Sequence, residues 1–250
     1  MTYSIVARDP ATGYFGVSVA SRYFAVGAIV PHARGKVGAV ATQAFPNPTF
    51  GSDGLRLMEA GVPPDTITTI FIERDAGHPN RQFHMIDAQG RSAAYTGLNC
   101  VDWAGHESAK GVSVAGNMLE GPQVVAKTLR AYQAAMDKPL AERLLIAMQA
   151  GEDVGGDKRG KQSASLMIYR DQDYPWLDIR SDDHGDPLSE LHRLYAVAQE
   201  RFLLMAETMP TRENPHGLTD RTEIDAQLAR LEEERAKSNQ PSASLMQNKS

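Results

Sequence analysis

Helices arrive in pairs in this chain, and each pair stands between runs of short strands. Residues 3–8 and 14–21 read as strands around the turn Asp9-Pro10-Ala11-Thr12-Gly13, where Pro and Gly supply turn geometry. The second strand alternates small or polar residues with apolar ones, and Gly16 within it marks a close backbone approach. Apolar pieces follow at 26–30 and 37–42. The latter leads into Gln43-Ala44-Phe45-Pro46-Asn47-Pro48, a loop by virtue of its prolines. Helices are expected over 54–60, closed by Gly61, and over 65–74 behind Pro64. Strands return at 81–87 and 92–95, joined as a hairpin, and at 111–119. Pro122 and Pro139 open the second helix pair, with Val125, Leu129 and Tyr132 on one and Leu140, Leu144 and Met148 on the other at helical spacing. Strands at 162–169 and 176–180, then a helix from Pro187 through Met205, complete the pattern. Paired helices between strands do not suit the alternating units of a parallel sheet. The order implies an α+β fold, a four-layer αββα sandwich of two antiparallel sheets flanked by helices.

That domain is expected to span residues 1–209. From Pro210 the composition turns polar, so residues 210–250 read as a tail. It holds a loop at 211–217, a charged helix at 225–237 anchored by Leu228 and Leu231, and disorder at 238–250. A net charge of −5 without a basic block argues against a grip on nucleic acid or anionic lipid. The single cysteine, Cys100, excludes an intrachain disulfide and fits a reducing compartment. No secretory signal or apolar run of spanning length is visible, so a cytoplasmic protein is expected.

The chemistry starts at Thr2, which follows the initiator Met1 and enters a strand. With Met1 removed, one residue carries a hydroxyl and a free α-amine, the minimal nucleophile and base of an N-terminal-threonine hydrolase. Such an amine, with a pKa of about 7.7–8.0, is mostly protonated at neutral pH, so a nearby cation or desolvation would free it. Arg22, at the end of the second strand, is a candidate neighbour. Gln43 and Asn47 stand where a strand gives way to a helix and are candidates to polarise a substrate carbonyl. Polar residues satisfying turns explain them as well. In the glycine-rich segment 155–163, Asp157, Arg159 and Ser163 can converge before a strand, either as a site or as a solvated turn. It lacks P-loop spacing, so no nucleotide is expected. Cys100 with His106 does not define a dyad, and a packed, inert thiol is the better assignment. The scattered histidines and the acidic stretch Asp182-Asp183-His184 give no metal motif, and no metal or cofactor is expected.

Together these segments resemble a known family. Residues 2–9, 15–21 and 37–43, Trp103-Ala104-Gly105-His106, Gly116-Asn117-Met118-Leu119 and 159–164 are similar, in this order, to the bacterial family called domain of unknown function 1028. The resemblance covers about residues 2–205. It implies the N-terminal-nucleophile hydrolase superfamily, with its αββα sandwich and its proteasome β subunits. It also implies amide cleavage by Thr2, with an Asp and Ser pair before a late strand matching Asp157 and Ser163. An early-strand lysine of proteasome-like enzymes matches Lys36 only in general region. Asn117 and His106 lie in the shared motifs; Asn117 is carried as catalytic and His106 as substrate-binding. The expected function is an N-terminal-threonine amidohydrolase acting on a small amide, imide or peptide-like compound. The alternative is a non-catalytic relative that binds a ligand or partner. An exposed sandwich edge leaves room for a homodimer.

Overall fold

The computed structural model describes residues 2–246. Strands β1 (Thr2–Arg8), β2 (Phe15–Ser21), β3 (Pro31–Arg34) and β4 (Gly38–Ala44) lead into helices α1 (Thr49–Glu59) and α2 (Pro64–Arg74). Strands β5 (Arg81–Asp87), β6 (Ser92–Thr96), β7 (Trp103–Ala109) and β8 (Val112–Leu119) precede α3 (Pro122–Ala134) and α4 (Leu140–Glu152). Then come β9 (Ser163–Tyr169), β10 (Leu177–Ser181) and α5 (Pro187–Val197). One sheet has the order β10-β9-β2-β1-β8-β7 and the other β3-β4-β5-β6, with antiparallel pairing throughout. Helices α3 and α4 cover the six-stranded sheet and α1 and α2 the four-stranded one. This is the α+β, four-layer αββα sandwich that the element order implies.

The central strands are buried on both faces, so β1 and β2 lack an exposed side. Between the sheets, Val6, Phe15, Val17, Val19, Ala39 and Ile86 form an apolar core. Outside the four-stranded sheet, Phe50 stacks on Phe71 at 4.2 Å between ring centroids, and Phe83 meets both edge-on. Gly16 lets α4 lie close on β2: a Cβ there would stand 2.4 Å from Leu144 Cδ1. A buried Asp9–Arg143 pair at 3.2 Å ties the β1–β2 turn to α4.

Several boundaries differ from the sequence reading. The apolar piece at 26–30 is a short 3-10 turn, Val26–Ala28, and the strand starts only at Pro31. Helix α1 begins five residues before Gly54, at Thr49. Its Gly51 is required because a Cβ would meet the His32 ring at 2.2 Å. Strand β7 has no counterpart in the sequence reading, since Trp103–Ala109 has no buried residue and lacks an alternating apolar face.

The chain divides into two compact units, Met1–Leu188 and Ser189–Ser250, so the division falls inside α5, ahead of the compositional change at Pro210. In the second unit, α5 continues through a π-helical stretch, Ala198–Phe202, into α6 (Leu203–Ala206), and α7 (Thr222–Lys237) follows. Ile224, not Leu231, joins Leu228 as the buried anchor of α7. Glu200 accepts the Ser242 hydroxyl at 2.7 Å and the Ala243 N–H at 2.6 Å. Those residues, inside the stretch expected to be disordered, are therefore held. Residues 247–250 lie outside the described residues. No helix among the described residues is long and apolar enough to cross a membrane.

Candidate functional site

Alternation along β1 decides which side chains face the gap between the sheets. Tyr3 points to the helix side, its hydroxyl donating to the Met148 carbonyl at 2.9 Å and to Glu152 at 3.0 Å. Thr2 and Ser4 therefore face inward. The Thr2 hydroxyl lies 3.1 Å from Ser21 Oγ, and the residue is 6% exposed. It borders a cavity of about 260 Å³. Val26, Ile29 and Val30 line one side, and Gln43, Ala44, Phe45 and Pro46 the other. Tyr23 and Phe45, 55% and 72% exposed, stand at its rim. Ala44 holds φ of 67°, a left-handed conformation costly for a residue with a Cβ. Met1, whose removal the sequence reading requires, lies outside the described residues.

Asp157, Arg159 and Ser163 do converge, and Arg22, expected beside the Thr2 amine, joins them. Asp157 accepts the Arg22 N–H at 2.8 Å and the Arg159 N–H at 2.9 Å. The Arg22 guanidinium donates to the Arg159 carbonyl at 2.8 Å. Ser163 Oγ accepts the Val26 N–H at 3.1 Å and donates to the Tyr23 carbonyl. The Ala25 N–H adds a bond to the Asp182 carbonyl at 3.0 Å. These residues brace the segment 22–26, which is a wall of the cavity. Their side chains are not among those lining it.

Behind Thr2 a polar network runs between the sheets. Ser4 Oγ donates to Gln43 Oε1 at 2.6 Å, so its contact with His84 Nε2 at 2.8 Å is one in which the imidazole donates. His84 Nδ1 then accepts from Ser113 Oγ at 3.0 Å, and Ser113 accepts from Ser108 at 2.9 Å. Burial, with a smaller push from His106, lowers the His84 pKa to about 3, so the ring is neutral. Gln43 Nε2 donates to Gln82 Oε1 at 2.7 Å and to the Ala115 carbonyl at 3.2 Å. Both amide hydrogens are thereby committed, which corrects the expectation that the Gln43 side chain polarises a substrate carbonyl. Asn117 Nδ2 donates to Gln82 Oε1 at 3.0 Å and to the Thr2 carbonyl at 3.4 Å. It fixes the peptide that carries the hydroxyl. Gln82, Ser4 and Ser113 were missed by sequence reasoning, and His84 was noted there only as one scattered histidine.

Other expected residues lie elsewhere. Asn47 Oδ1 accepts the Thr49 N–H at 3.2 Å and its hydroxyl at 2.7 Å, opening α1. Asn47 lines a separate cleft with Asp53, Arg56 and Arg74, not the Thr2 cavity. His106 is exposed on edge strand β7 and bonds Thr96 Oγ1 at 2.9 Å; partial desolvation lowers its pKa. It too is absent from the lining. Lys36 is exposed in the β3–β4 turn at φ 62°. It sits at the opposite end of β4 from Gln43 and Ala44, which excludes it as a partner of Thr2. Cys100 Sγ bonds the Arg81 carbonyl at 3.5 Å, and burial raises its pKa, which keeps it a thiol. Among the described residues no group of three or more His, Cys, Asp or Glu is placed to hold a metal ion.

Comparison with known proteins adds four findings. A crystal structure of protein SPO2555 from Silicibacter pomeroyi, described as DUF1028, matches with a TM-score of 0.81 and 29% identity, over 88% of this chain and 96% of that one. Anbu, an ancestral β-subunit from Yersinia bercovieri, aligns over 84% of this chain and 98% of its own at 13% identity, with a TM-score of 0.35. No curated protein matches the sequence. Residues 2–191 match the family of unknown function DUF1028, and the chain belongs to that family.

Proposed function

We propose that the chain is an N-terminal-nucleophile hydrolase in which Thr2, freed by removal of Met1, cleaves an amide or imide bond of a small or peptide-like substrate. One observation carries this reading: the Thr2 hydroxyl borders a cavity, at the inner end of a strand fixed by Asn117 and Ser21. Thr2 Oγ1 attacks the substrate carbonyl carbon while the α-amine takes the hydroxyl proton. That proton passes to the departing nitrogen as the C–N bond breaks, leaving an ester on Oγ1. Water, activated by the same amine, then hydrolyses the ester, releases the acid and restores the hydroxyl. Asp157, Ser163 and Asn117 act by position, holding the wall and the nucleophile's peptide. Because the amine works neutral, the rate is expected to rise with pH through about 7.7–8.0.

A second reading, a non-catalytic ligand-binding protein, is favoured by one feature: among the described residues, no charged side chain lines the cavity. Intact mass and a variant separate the two. The hydrolase requires protein one methionine lighter than the translated chain, with turnover lost in Thr2→Ala and retained in part in Thr2→Ser. Turnover by protein that keeps Met1, or by Thr2→Ala, removes Thr2 as nucleophile.

A further inference from the structure

The walls of the cavity also specify what it accepts. Val26 and Val30 are buried, and Ile29, Phe45 and Pro46 continue an apolar lining. The nearby charges are engaged elsewhere: the Arg22 guanidinium on the Arg159 carbonyl, Arg159 on Asp157 at 3.4 Å, and Arg81 on the Phe45 carbonyl and Asp75. A charged acyl group entering would lose hydration and meet no side-chain counter-charge among the described lining residues, and the Thr2 amine, which acts in its neutral form, offers it none. An apolar group loses nothing of that kind and gains by leaving water. At about 260 Å³ the space is smaller than the roughly 300–1,000 Å³ clefts of drug-sized ligands. It suits one branched aliphatic group or one aromatic ring. Four hydrogen bonds, from Asp157, Ser163 (two) and the Asp182 carbonyl, preset the 22–26 wall, so little ordering is needed on binding.

Resting on the reading of Thr2 as nucleophile, we propose that this site takes amides whose acyl part is uncharged, apolar and no larger than isovaleryl or phenylacetyl, and excludes acidic and basic acyl groups.

The test uses the full chain lacking Met1 and four anilides that differ only in acyl group: isovaleryl, phenylacetyl, succinyl and 4-aminobutyryl. We expect kcat/KM for the neutral pair to exceed that for the charged pair by at least about 10-fold. Ile29→Lys, a half-buried position, should shift preference toward succinyl. In parallel, Thr2→Ala is titrated by NMR with the four corresponding N-methylamides, and only the neutral pair should bind. Phe45→Ala, at the exposed rim, should weaken binding of the phenylacetyl compound without unfolding the protein. Faster cleavage of the charged anilides overturns the specificity while leaving the nucleophile in place. Selective binding of the neutral amides with no anilide cleaved by wild type supports the specificity and removes the hydrolase. Equal binding of all four amides, or binding of none, overturns the proposal.

Discussion

At Gln82 one amide joins the two sheets. Its Oε1 accepts Gln43 Nε2 at 2.7 Å and Asn117 Nδ2 at 3.0 Å, while its Nε2 donates to the Gly116 carbonyl at 2.8 Å and Thr96 Oγ1 at 3.0 Å. Gln82→Leu would leave two buried donors without an acceptor, each costing about 1–3 kcal/mol. The expected loss is therefore about 2–6 kcal/mol of unfolding free energy, read from the urea midpoint at constant m-value. A loss below about 1 kcal/mol would mean that the network rearranges around the gap. This residue was illegible in the sequence for a physical reason. In Arg81–Asp87 the polar Gln82 and His84 alternate with apolar Phe83 and Met85, and period two then reads the polar face as solvent. In a middle layer that face meets a second sheet. Thr2, Asp157 and Ser163 were legible because their signals are local: a hydroxyl behind an initiator methionine, and polar groups beside glycines.

The segment 22–26 shows the same division at the scale of an element. Sequence indicated that Asp157, Arg159 and Ser163 could converge, but not that they meet Arg22 or that their object is backbone. Ser163 is fully buried and Val26 is 2% exposed, so Ser163→Ala strands the Val26 N–H. We expect a loss of about 1–3 kcal/mol together with faster amide hydrogen exchange confined to 22–26, the β2 and β9 amides keeping their protection. Unchanged exchange at Val26 would sink the bracing role and return Ser163 to the chemistry. The other misread elements share a cause. Gly51 and Gly54 lower the helical signal of α1, although the first is fixed by the His32 ring. Strand β7 pairs on one side only and has no buried residue, so it carries no hydrophobic pattern to find.

Across the whole first unit, paired helices between strands were enough to specify the layers, because that order leaves each sheet one helix-covered and one sheet-covered face. What the order does not reveal is that the gap between the sheets holds a titratable group. Unfolded, an imidazole takes up its proton near 6.5, whereas His84 in the fold resists to about 3. Below pH 6.5 the unfolded chain thus binds the additional proton. This contribution to stability is whole above that pH and declines as pH falls toward 3, by about 1.4 kcal/mol per pH unit. His32 and His106, also lowered by burial, steepen the decline. Glu152 and Asp178, raised by burial, act in the opposite sense as pH falls through their folded values toward the ordinary carboxylate range. A comparison with His84→Gln cancels all of these except His84. Glutamine keeps a donor for Ser4 and an acceptor for Ser113, so the fold is expected to persist. Between pH 7 and pH 5, wild type should lose about 2 kcal/mol more stability than His84→Gln, measured by urea unfolding at half-unit steps. Parallel curves would show that His84 is protonated, or solvated, in the folded protein, and that the directional chain from Ser108 to Gln43 does not hold in solution.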